Sequence, residues 1–224
     1  MTKTAIILFV HLPEFEARAK NMSAISSKKA TQKISIALTQ HFYTLAAQTS
    51  ADTFLIDTYH QKGKTFGERI TNAFTEVYAK GYENVICIGN DCPELNLNQL
   101  QNAIFETEKG NVVLGPTRDG GAYLIGIPKN SFLRASFLNI KWQKRKTFKD
   151  LKSLYHSPIT ELELFTDLDS ANAISAVNPK NTVIRFLHHI IQDFKLDLKV
   201  TTTPFILDFF FVSRAFLKGP PLFA

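Results

Sequence analysis

The stretch Asn84-Val-Ile-Cys-Ile-Gly-Asn-Asp-Cys-Pro93 decides the fold that we expect for this chain of 224 residues. Its first half is an unbroken apolar run, which is typical of a strand buried on both faces of a parallel sheet. Its second half changes abruptly to glycine, amide, carboxylate and proline. Pro93 restricts the residue before it to extended backbone and cannot donate a ladder hydrogen bond, so the strand must end there. The stretch therefore predicts an interior strand with a polar carboxyl end.

Apolar runs of the same kind recur along the chain, and segments with apolar residues at helical spacing separate most of them. The pattern predicts strands at residues 4–10, 53–57, 84–89, 112–114 and 123–127. Alternation of strands and helices at this spacing predicts an α/β fold with three layers. In such a fold, helices cover both faces of a mostly parallel central sheet.

The composition excludes several classes of protein. With 45% hydrophobic and 21% charged residues, the chain is not a wholly disordered protein. Its two cysteines are too few for a disulfide framework, and their spacing is not that of a zinc site. The first apolar run, residues 4–10, is too short for a secretory signal or a membrane span. We therefore expect a cytoplasmic protein without a membrane span.

The formal net charge of +6 is concentrated in two segments of the chain. Residues 1–50 carry six basic side chains against two carboxylates, and residues 141–152 carry six against one. Basic patches of this kind attract any phosphate, including a nucleotide diphosphate. Aromatic residues are sparse in the second segment and no nucleic-acid recognition module accompanies it, so we expect no nucleic-acid partner.

The polar end of the third predicted strand is the first candidate for a functional site. Ligands of parallel α/β sheets bind at the carboxyl ends of the strands, so Asp91 is expected to point into a crevice there. The alternative is that Asp91 only caps a turn or the following helix.

A second polar loop, Gly115-Pro-Thr-Arg-Asp-Gly-Gly121, follows the next strand. Its adjacent glycines allow backbone amides to approach a ligand closely. Arg118 offers a planar donor fork for phosphate, and Asp119 adds a second carboxylate at the same edge of the sheet. Asp-Gly is also a strong hairpin signal, so the loop is a hairpin, a ligand-binding turn, or both.

A third acidic segment is Asp167-Leu-Asp169. Alternate residues of an extended segment share a face, so both carboxylates could address one divalent ion. Alternatively, Asp169 or Ser170 starts the next helix as its N-cap. Asp167 is the better candidate for a metal ligand and Asp169 for a cap. The histidines, His11 among them, have no metal-ligand spacing.

Several motifs occur in a fixed order: Phe66-Gly-Glu-Arg69, Gly89-Asn-Asp-Cys-Pro93, Gly115 to Gly126, Trp142 and Asp167-Leu-Asp169. Together they resemble the radical-SAM/selenodomain-associated transferase family. The resemblance implies the three-layer, Rossmann-like fold of nucleotide-diphospho-sugar transferases (the glycosyltransferase-A fold). It also implies kinship with the guanylyltransferases of molybdenum-cofactor and phospholactate metabolism. It assigns residues 1–178 to this domain and leaves 179–224 as an apolar extension, which we expect to pack on the core or on another subunit as a homodimer.

The resemblance implies a metal-dependent transferase that uses a nucleotide-activated donor. We expect glycosyl transfer from a nucleotide sugar, with nucleotidyl transfer from a nucleoside triphosphate as the nearest alternative. Asp91 and Asp167 would hold Mg²⁺ or Mn²⁺, and Asp91 and Asp119 would be catalytic, with Asp119 orienting the donor sugar or acting as a base.

The same resemblance implies a set of residues that bind the nucleotide donor. They are Pro13, Arg18, Lys20, Arg69, Asn90, Arg118, Gly120 and Gly121. For Arg69 the alternative is an ion pair that anchors its own helix.

The loop after the first strand departs from the family pattern. Family members carry a proline, a glycine and a Lys-Thr-Arg-Leu run there, whereas this chain has Glu14-Phe-Glu16 and Ala19-Lys-Asn-Met22. Glu14 and Glu16 would repel a diphosphate, and only Arg18 and Lys20 remain as donors. A catalytically degenerate member that acts as a binding or scaffold protein is therefore the competing expectation.

Overall fold

The central sheet has six strands in the part of the chain that the computed structural model describes, residues 3–20, 27–155, 158–169 and 182–197. The strands are β1 (Thr4–Phe9), β2 (Asp52–Ile56), β3 (Asn84–Ile88), β4 (Val112–Pro116), β5 (Ala122–Pro128) and β6 (Ile159–Glu161). Their order in the sheet is β2-β1-β3-β5-β4-β6. Only β5 runs antiparallel to its neighbours among these six, so the predicted mostly parallel sheet is confirmed.

The described helices are α1 (Pro13–Ala19), α2 (Lys28–Ala47), α3 (Phe66–Ala79), α4 (Leu97–Glu108), α5 (Arg134–Leu138), α6 (Thr147–Ser153) and α7 (Thr182–Asp197). A single 3-10 turn covers Lys129–Ser131. Local sequence explains where several of them begin. Capping boxes start α3, through Thr65 and Glu68, and α4, through Asn96 and Gln99. Gly81 ends α3 with a φ of +89°, a conformation that glycine adopts without strain.

Helices cover both faces of the sheet, which explains the unbroken apolar character of its strands. In β1, Ile6 and Leu8 belong to the core on one face, with residues of α2, α4 and α7. Ala5 and Ile7 belong to the core on the other face, with residues of α3, α5 and α6. Because successive side chains of a strand point to opposite faces, a strand covered on both sides needs apolar residues at every position. The three-layer α/β architecture is therefore confirmed.

An aromatic cluster holds α3, α5 and the segment after α5 together. Phe74 is fully buried, and its ring lies 5.5 Å from that of Phe132 and 5.3 Å from that of Phe137. Trp142 packs edge-on against Phe137 at 4.9 Å, and its indole Nε1 donates to the Phe137 carbonyl oxygen at 3.1 Å. The cluster thus fixes the start of the basic segment that follows Trp142.

The first part of the C-terminal extension forms α7, which packs beside α2 through Ile184, Leu187 and Ile191. The extended segments predicted at 199–203 and 205–212 lie outside the described residues. The predicted homodimer rests on that same part of the chain, and nothing in the described residues supports it. None of the helices that the structure describes has the length and apolar character needed to cross a membrane.

Phe74→Ala is expected to lower the free energy of unfolding by about 3–5 kcal/mol, because it leaves a cavity at the centre of the aromatic cluster. Urea unfolding followed by circular dichroism measures the change. Phe105→Ala is the control, since Phe105 is 55% exposed and its loss is expected to cost less than about 1 kcal/mol. Equal losses for the two variants would contradict the assignment of Phe74 to the core.

Candidate functional site

A cavity of about 480 Å³ opens at the carboxyl ends of the parallel strands. The segments that follow β1, β3, β4 and β6 contribute to its wall, together with residues 142–145 and Thr147. This is the edge of a parallel α/β sheet where ligands bind. The cavity therefore lies at the sheet edge that the sequence pattern indicates, and the roles of its residues stay predictions.

Main-chain hydrogen bonds join the third acidic segment, Asp167-Leu-Asp169, to the ends of β4 and β3. The amide of Phe165 donates to the Pro116 carbonyl oxygen at 3.1 Å, which aligns this part of the chain with the end of β4. The amide of Leu168 then donates to the Asp91 carbonyl oxygen at 2.7 Å. The side chain of Leu168 is fully buried, so Asp167 and Asp169 on either side of it are held at the cavity.

The ammonium group of Lys20 lies among three carboxylates. Its Nζ atom is 2.7 Å from Oδ1 of Asp169, 3.0 Å from Oε1 of Glu16 and 3.2 Å from Oδ2 of Asp91. Burial alone would lower the pKa of Lys20, but the carboxylates of Asp91, Glu16 and Asp169 outweigh burial and raise the pKa far above its usual range. Lys20 is therefore a permanent cation at the end of β3.

Glu16, which the sequence predicts to repel a diphosphate, forms an ion pair within the protein. The side chain of Glu16 is only 4% exposed, and the i, i+4 spacing of a helix places it against Lys20. Glu16 shares the one positive charge of Lys20 with Asp91 and Asp169, so its negative charge is only partly offset and the repulsion of a diphosphate stays a prediction. Glu14 is exposed on α1 and does not line the cavity.

Lys20 also occupies the place where a divalent ion would be expected. The carboxylates that would hold Mg²⁺ or Mn²⁺ include Asp91, and Asp91 and Asp169 both face the ammonium group instead. Within the described ranges, no group of three or more His, Cys, Asp or Glu residues is arranged to hold a metal ion. In this arrangement the donor set does not fit a divalent ion.

Asp167 has an unusual protonation equilibrium for a carboxylic acid. Burial raises its pKa to about 6, and the negative charges of Asp119, Asp169 and Asp91 act in the same direction. A carboxyl group of this kind is largely ionised at neutral pH but remains a better base than an ordinary aspartate. Perturbed groups of this kind cluster at functional sites.

The loop after β4 is a hairpin whose turn lines the cavity, as one of the predicted alternatives allows. The carboxylate Oδ1 of Asp119 accepts from the Thr117 hydroxyl at 2.5 Å and from the Gly121 amide at 2.8 Å. These bonds fix the Asp119 side chain within the turn. A Cβ atom at Gly121 would lie only 2.8 Å from the Thr117 hydroxyl oxygen, so the turn requires glycine there.

The same hairpin touches the segment that begins at Trp142. Gly120 has a φ of +93°, and a Cβ atom there would overlap the Arg145 carbonyl oxygen. The Gly120 carbonyl oxygen in turn accepts from the Phe148 amide at 2.9 Å. This close backbone contact brings Lys144 and Arg145 to the cavity wall.

The structure brings six of the predicted site residues to the cavity and leaves five away from its wall. Those that line it are Lys20, Asn90, Asp91, Asp119, Gly121 and Asp167. Those that do not are Pro13, Arg18, Arg69, Arg118 and Gly120.

Their surroundings explain several of these placements. Pro13 is the first residue of α1, a position that suits its fixed φ. The guanidinium group of Arg18 lies 5.6 Å from the centre of the Phe15 ring, and Arg118 is exposed. Asn90 is buried, and its amide nitrogen donates to the Thr39 hydroxyl at 2.9 Å. Asn90 therefore also links β3 to α2.

Arg69 forms no ion pair with another residue that the structure describes, so the predicted anchoring of α3 by such a pair is not seen there. Its Nε atom is buried without a hydrogen-bond partner among the described residues. It lies close enough to His11 to influence that histidine. Burial lowers the pKa of His11, Glu16 opposes this, and the charges of Arg69 and Lys20 lower it further. His11 is therefore a neutral imidazole at the cavity wall.

Sequence reasoning assigned no binding or catalytic role to several charged or titratable residues that line the cavity. Among them are His11, Glu16, Lys144 and Arg145. A signal was present for Lys144 and Arg145, because the second basic segment directly follows the Trp142 motif. For His11 the signal was its place just beyond the carboxyl end of β1. For Glu16 no motif marks the residue, and the packing of α1 brings it to the site.

Residues 24–144, slightly more than half of the chain, match a family described as an uncharacterised protein conserved in bacteria, DUF2064. The chain therefore belongs to this family. No curated protein sequence matches the chain.

Several solved structures match this chain, to different degrees. One is a protein from Desulfovibrio desulfuricans provisionally assigned as a nucleotide-diphospho-sugar transferase, with a TM-score of 0.71 and 21% identity over 86% of this chain and 98% of that chain. This similarity confirms the predicted nucleotide-diphospho-sugar transferase-like fold. The manganese complex of Rv0371c from Mycobacterium tuberculosis has a TM-score of 0.43 and 11% identity over 78% and 97% of the two chains. Molybdopterin-guanine dinucleotide biosynthesis protein A from Archaeoglobus fulgidus has a TM-score of 0.37 and 11% identity over 86% and 100%. These two scores are too low to support an argument.

The raised pKa of Asp167 predicts a pH-dependent gain of stability in Asp167→Asn. Between the ordinary value of 3.8 and the folded-state value of about 6, the folded protein binds more protons than the unfolded chain. The stability that this group contributes is therefore full below pH 3.8 and is lost as the pH rises through 6. Asparagine cannot ionise, so the variant is expected to be more stable than the original protein above pH 6, by about 1 kcal/mol after solvent screening.

Urea unfolding at pH 4, 6 and 8 measures this difference. It should shrink towards zero at pH 4. The exposed Glu14 offers the matched control, since Glu14→Gln is expected to show no such pH trend. A constant difference at all three pH values would contradict the unusual protonation of Asp167.

Proposed function

We propose that this protein transfers a group from a nucleotide-activated donor, namely a glycosyl group from a nucleotide sugar to an acceptor hydroxyl. The observation that carries the proposal is the convergence of Asp91, Asp119, Asp167 and Asp169 on one cavity at the carboxyl edge of a nucleotide-diphospho-sugar transferase-like sheet. A volume of about 480 Å³ lies within the range of small-molecule and cofactor sites.

In this reaction the acceptor oxygen attacks the anomeric carbon of the sugar. The bond from that carbon to the diphosphate breaks, and a nucleoside diphosphate leaves with the bonding electrons. The acceptor proton must pass to a base, and Asp167 is suited to accept it because its pKa is about 6. Asp119 is fixed by Thr117 and Gly121, which supports the orienting role rather than the base role among its two predicted roles.

Mg²⁺ or Mn²⁺ remains a prediction for this protein, and no step of the proposed reaction depends on it. The carboxylates of Asp91 and Asp169 face Lys20, so a divalent ion would have to displace the ammonium group. Lys20 itself supplies a fixed positive charge beside Asp91. An association with radical-SAM or selenodomain proteins is likewise implied only by the resemblance.

Removal of the Lys20 charge is expected to create a better metal site. In Lys20→Met, Asp91 and Asp169 lose their cationic partner and become free to bind Mn²⁺, whose affinity should rise at least about tenfold, or about 1.4 kcal/mol. Electron paramagnetic resonance of free Mn²⁺ measures the affinity, and circular dichroism verifies folding. Lys146→Met is the control, because Lys146 does not line the cavity. Unchanged or weaker Mn²⁺ binding by Lys20→Met would show that Lys20 does not compete with the metal.

Nucleotidyl transfer is the nearest enzymatic alternative. There a substrate phosphate attacks the α-phosphorus of a nucleoside triphosphate, and pyrophosphate leaves. The products distinguish the two reactions, since glycosyl transfer releases a nucleoside diphosphate from a nucleotide sugar. A catalytically degenerate binding protein stays a further alternative. Lys20 is the basic residue in the segment after β1 that lines the cavity, and the carboxylates of Asp91, Glu16 and Asp169 already engage it. Its charge is therefore less available to a donor phosphate.

The test is calorimetric titration with a panel of nucleotide sugars and nucleoside triphosphates, with and without Mg²⁺ or Mn²⁺, followed by mass spectrometry of the products. We expect a nucleotide sugar to bind and to release nucleoside diphosphate slowly with water as the acceptor. Asp167→Asn should lower that release by about a hundredfold or more while donor binding persists. Glu14→Gln should leave both unchanged. Binding of no donor would overturn both enzymatic versions.

A further inference from the structure

Lys144 and Arg145 form a positive face of the cavity. Both line it, and neither forms an ion pair or hydrogen bond through its side chain with another residue that the structure describes. Lys20, the other Lys or Arg residue in the described wall, is in contact with three carboxylates. The charges of Lys144 and Arg145 are thus available to a ligand, whereas that of Lys20 is already engaged by carboxylates.

Side-chain packing and hydrogen bonds fix the segment that carries these two residues. Trp142 is anchored by its hydrogen bond to Phe137 and by ring packing on Phe137 and Phe66. The hydroxyl of Thr147 accepts from the Lys144 amide at 3.0 Å and lies 2.7 Å from the Lys144 carbonyl oxygen. The contact between Gly120 and Arg145 closes the segment against the β4–β5 hairpin. Binding here would therefore require little ordering of the backbone.

The backbone of this segment is also strained next to Lys144. Gln143 has a φ of +57°, a left-handed conformation that costs a side-chain-bearing residue free energy and that is concentrated at functional sites. Gln143 itself lines the cavity. The strain is tolerated because Trp142 and Thr147 hold the chain on either side, and the outcome is a turn that places two cations at the cavity wall.

We propose that Lys144 and Arg145 bind a phosphate group of the substrate. A guanidinium group presents a planar fork that fits two phosphate oxygens, and a nearby ammonium group adds a point charge. Carboxylates in the same cavity would oppose an anion. The two cations offset that repulsion at this face, whereas Lys20 is already surrounded by acids. The subsite compensates for the altered first loop, where Arg18 lies away from the cavity.

Two sources of the phosphate are consistent with this chemistry, the diphosphate of the donor and a phosphorylated acceptor. Their assignment rests on the proposed function, whereas the phosphate subsite itself does not. Inorganic pyrophosphate probes the subsite directly. A nucleoside diphosphate represents the donor, a sugar phosphate represents the acceptor, and an unphosphorylated nucleoside is the probe without a phosphate.

The experiment is calorimetric titration of the full chain with these probes for Lys144→Met and Arg145→Met. Lys146→Met and Lys149→Met are matched controls in the same basic segment, and neither residue lines the cavity. Each test variant is expected to weaken pyrophosphate binding by about tenfold to a hundredfold, as charge-assisted hydrogen bonds predict. Each control should change it less than about twofold, since long-range surface charge is screened. Affinity for the unphosphorylated nucleoside should not change.

The pattern of losses identifies the source. A parallel loss for the nucleoside diphosphate assigns the subsite to the donor, and a loss confined to pyrophosphate and the sugar phosphate assigns it to the acceptor. A third outcome is that the original protein binds pyrophosphate, that Arg145→Met loses this binding, and that no nucleotide binds. This outcome would support the phosphate subsite and overturn the proposed function. Equal effects in test and control variants, or no pyrophosphate binding by the original protein, overturn the subsite.

Discussion

The ammonium group of Lys20 stabilises a site in which three carboxylates would otherwise repel one another. Asp91 follows β3, Asp169 follows β6 and Glu16 lies on α1, and all three carboxylates contact the same nitrogen atom. Like charges brought this close without a cation would favour the protonated form of one of them or force the segments apart. The convergence of strand ends, helix α1 and the acidic segments therefore depends on one positive charge.

Because of this interaction, the basic residues of the cavity differ in how much of their charge is available to a ligand. A lysine shared by three carboxylates stabilises the site but has little charge left for a ligand. Lys144 and Arg145 form no ion pair with the other residues that the structure describes. A different part of the fold positions them, namely the aromatic cluster around Trp142 and the close contact with Gly120. One basic residue thus stabilises the fold, and two others carry the proposed phosphate subsite.

Much of the fold and part of the site follow from the sequence. The apolar runs of β1 and β3 indicate strands covered on both faces, and the change of character at Gly89 locates a polar strand end. Strand β6 was not predicted, since its three residues carry no apolar run of their own; it forms because β4 offers a free edge. Arg118 was expected at the site because its guanidinium group offers a donor fork for phosphate, but neighbouring residues of a turn need not face the same way, and Arg118 is exposed away from the cavity wall.

By itself, the sequence determined the α/β class, the mostly parallel sheet and the edge at which Asp91, Asp119 and Asp167 meet. These follow from local patterns, because periodicity and strand-ending residues act over short stretches of chain. Only the tertiary structure decided which charges neutralise one another. The partners of Lys20 include Asp91, 71 residues away, and Arg145 reaches the cavity through a backbone contact with Gly120. Ion pairs depend on distances of a few ångströms between remote segments, and only the folded chain fixes those distances.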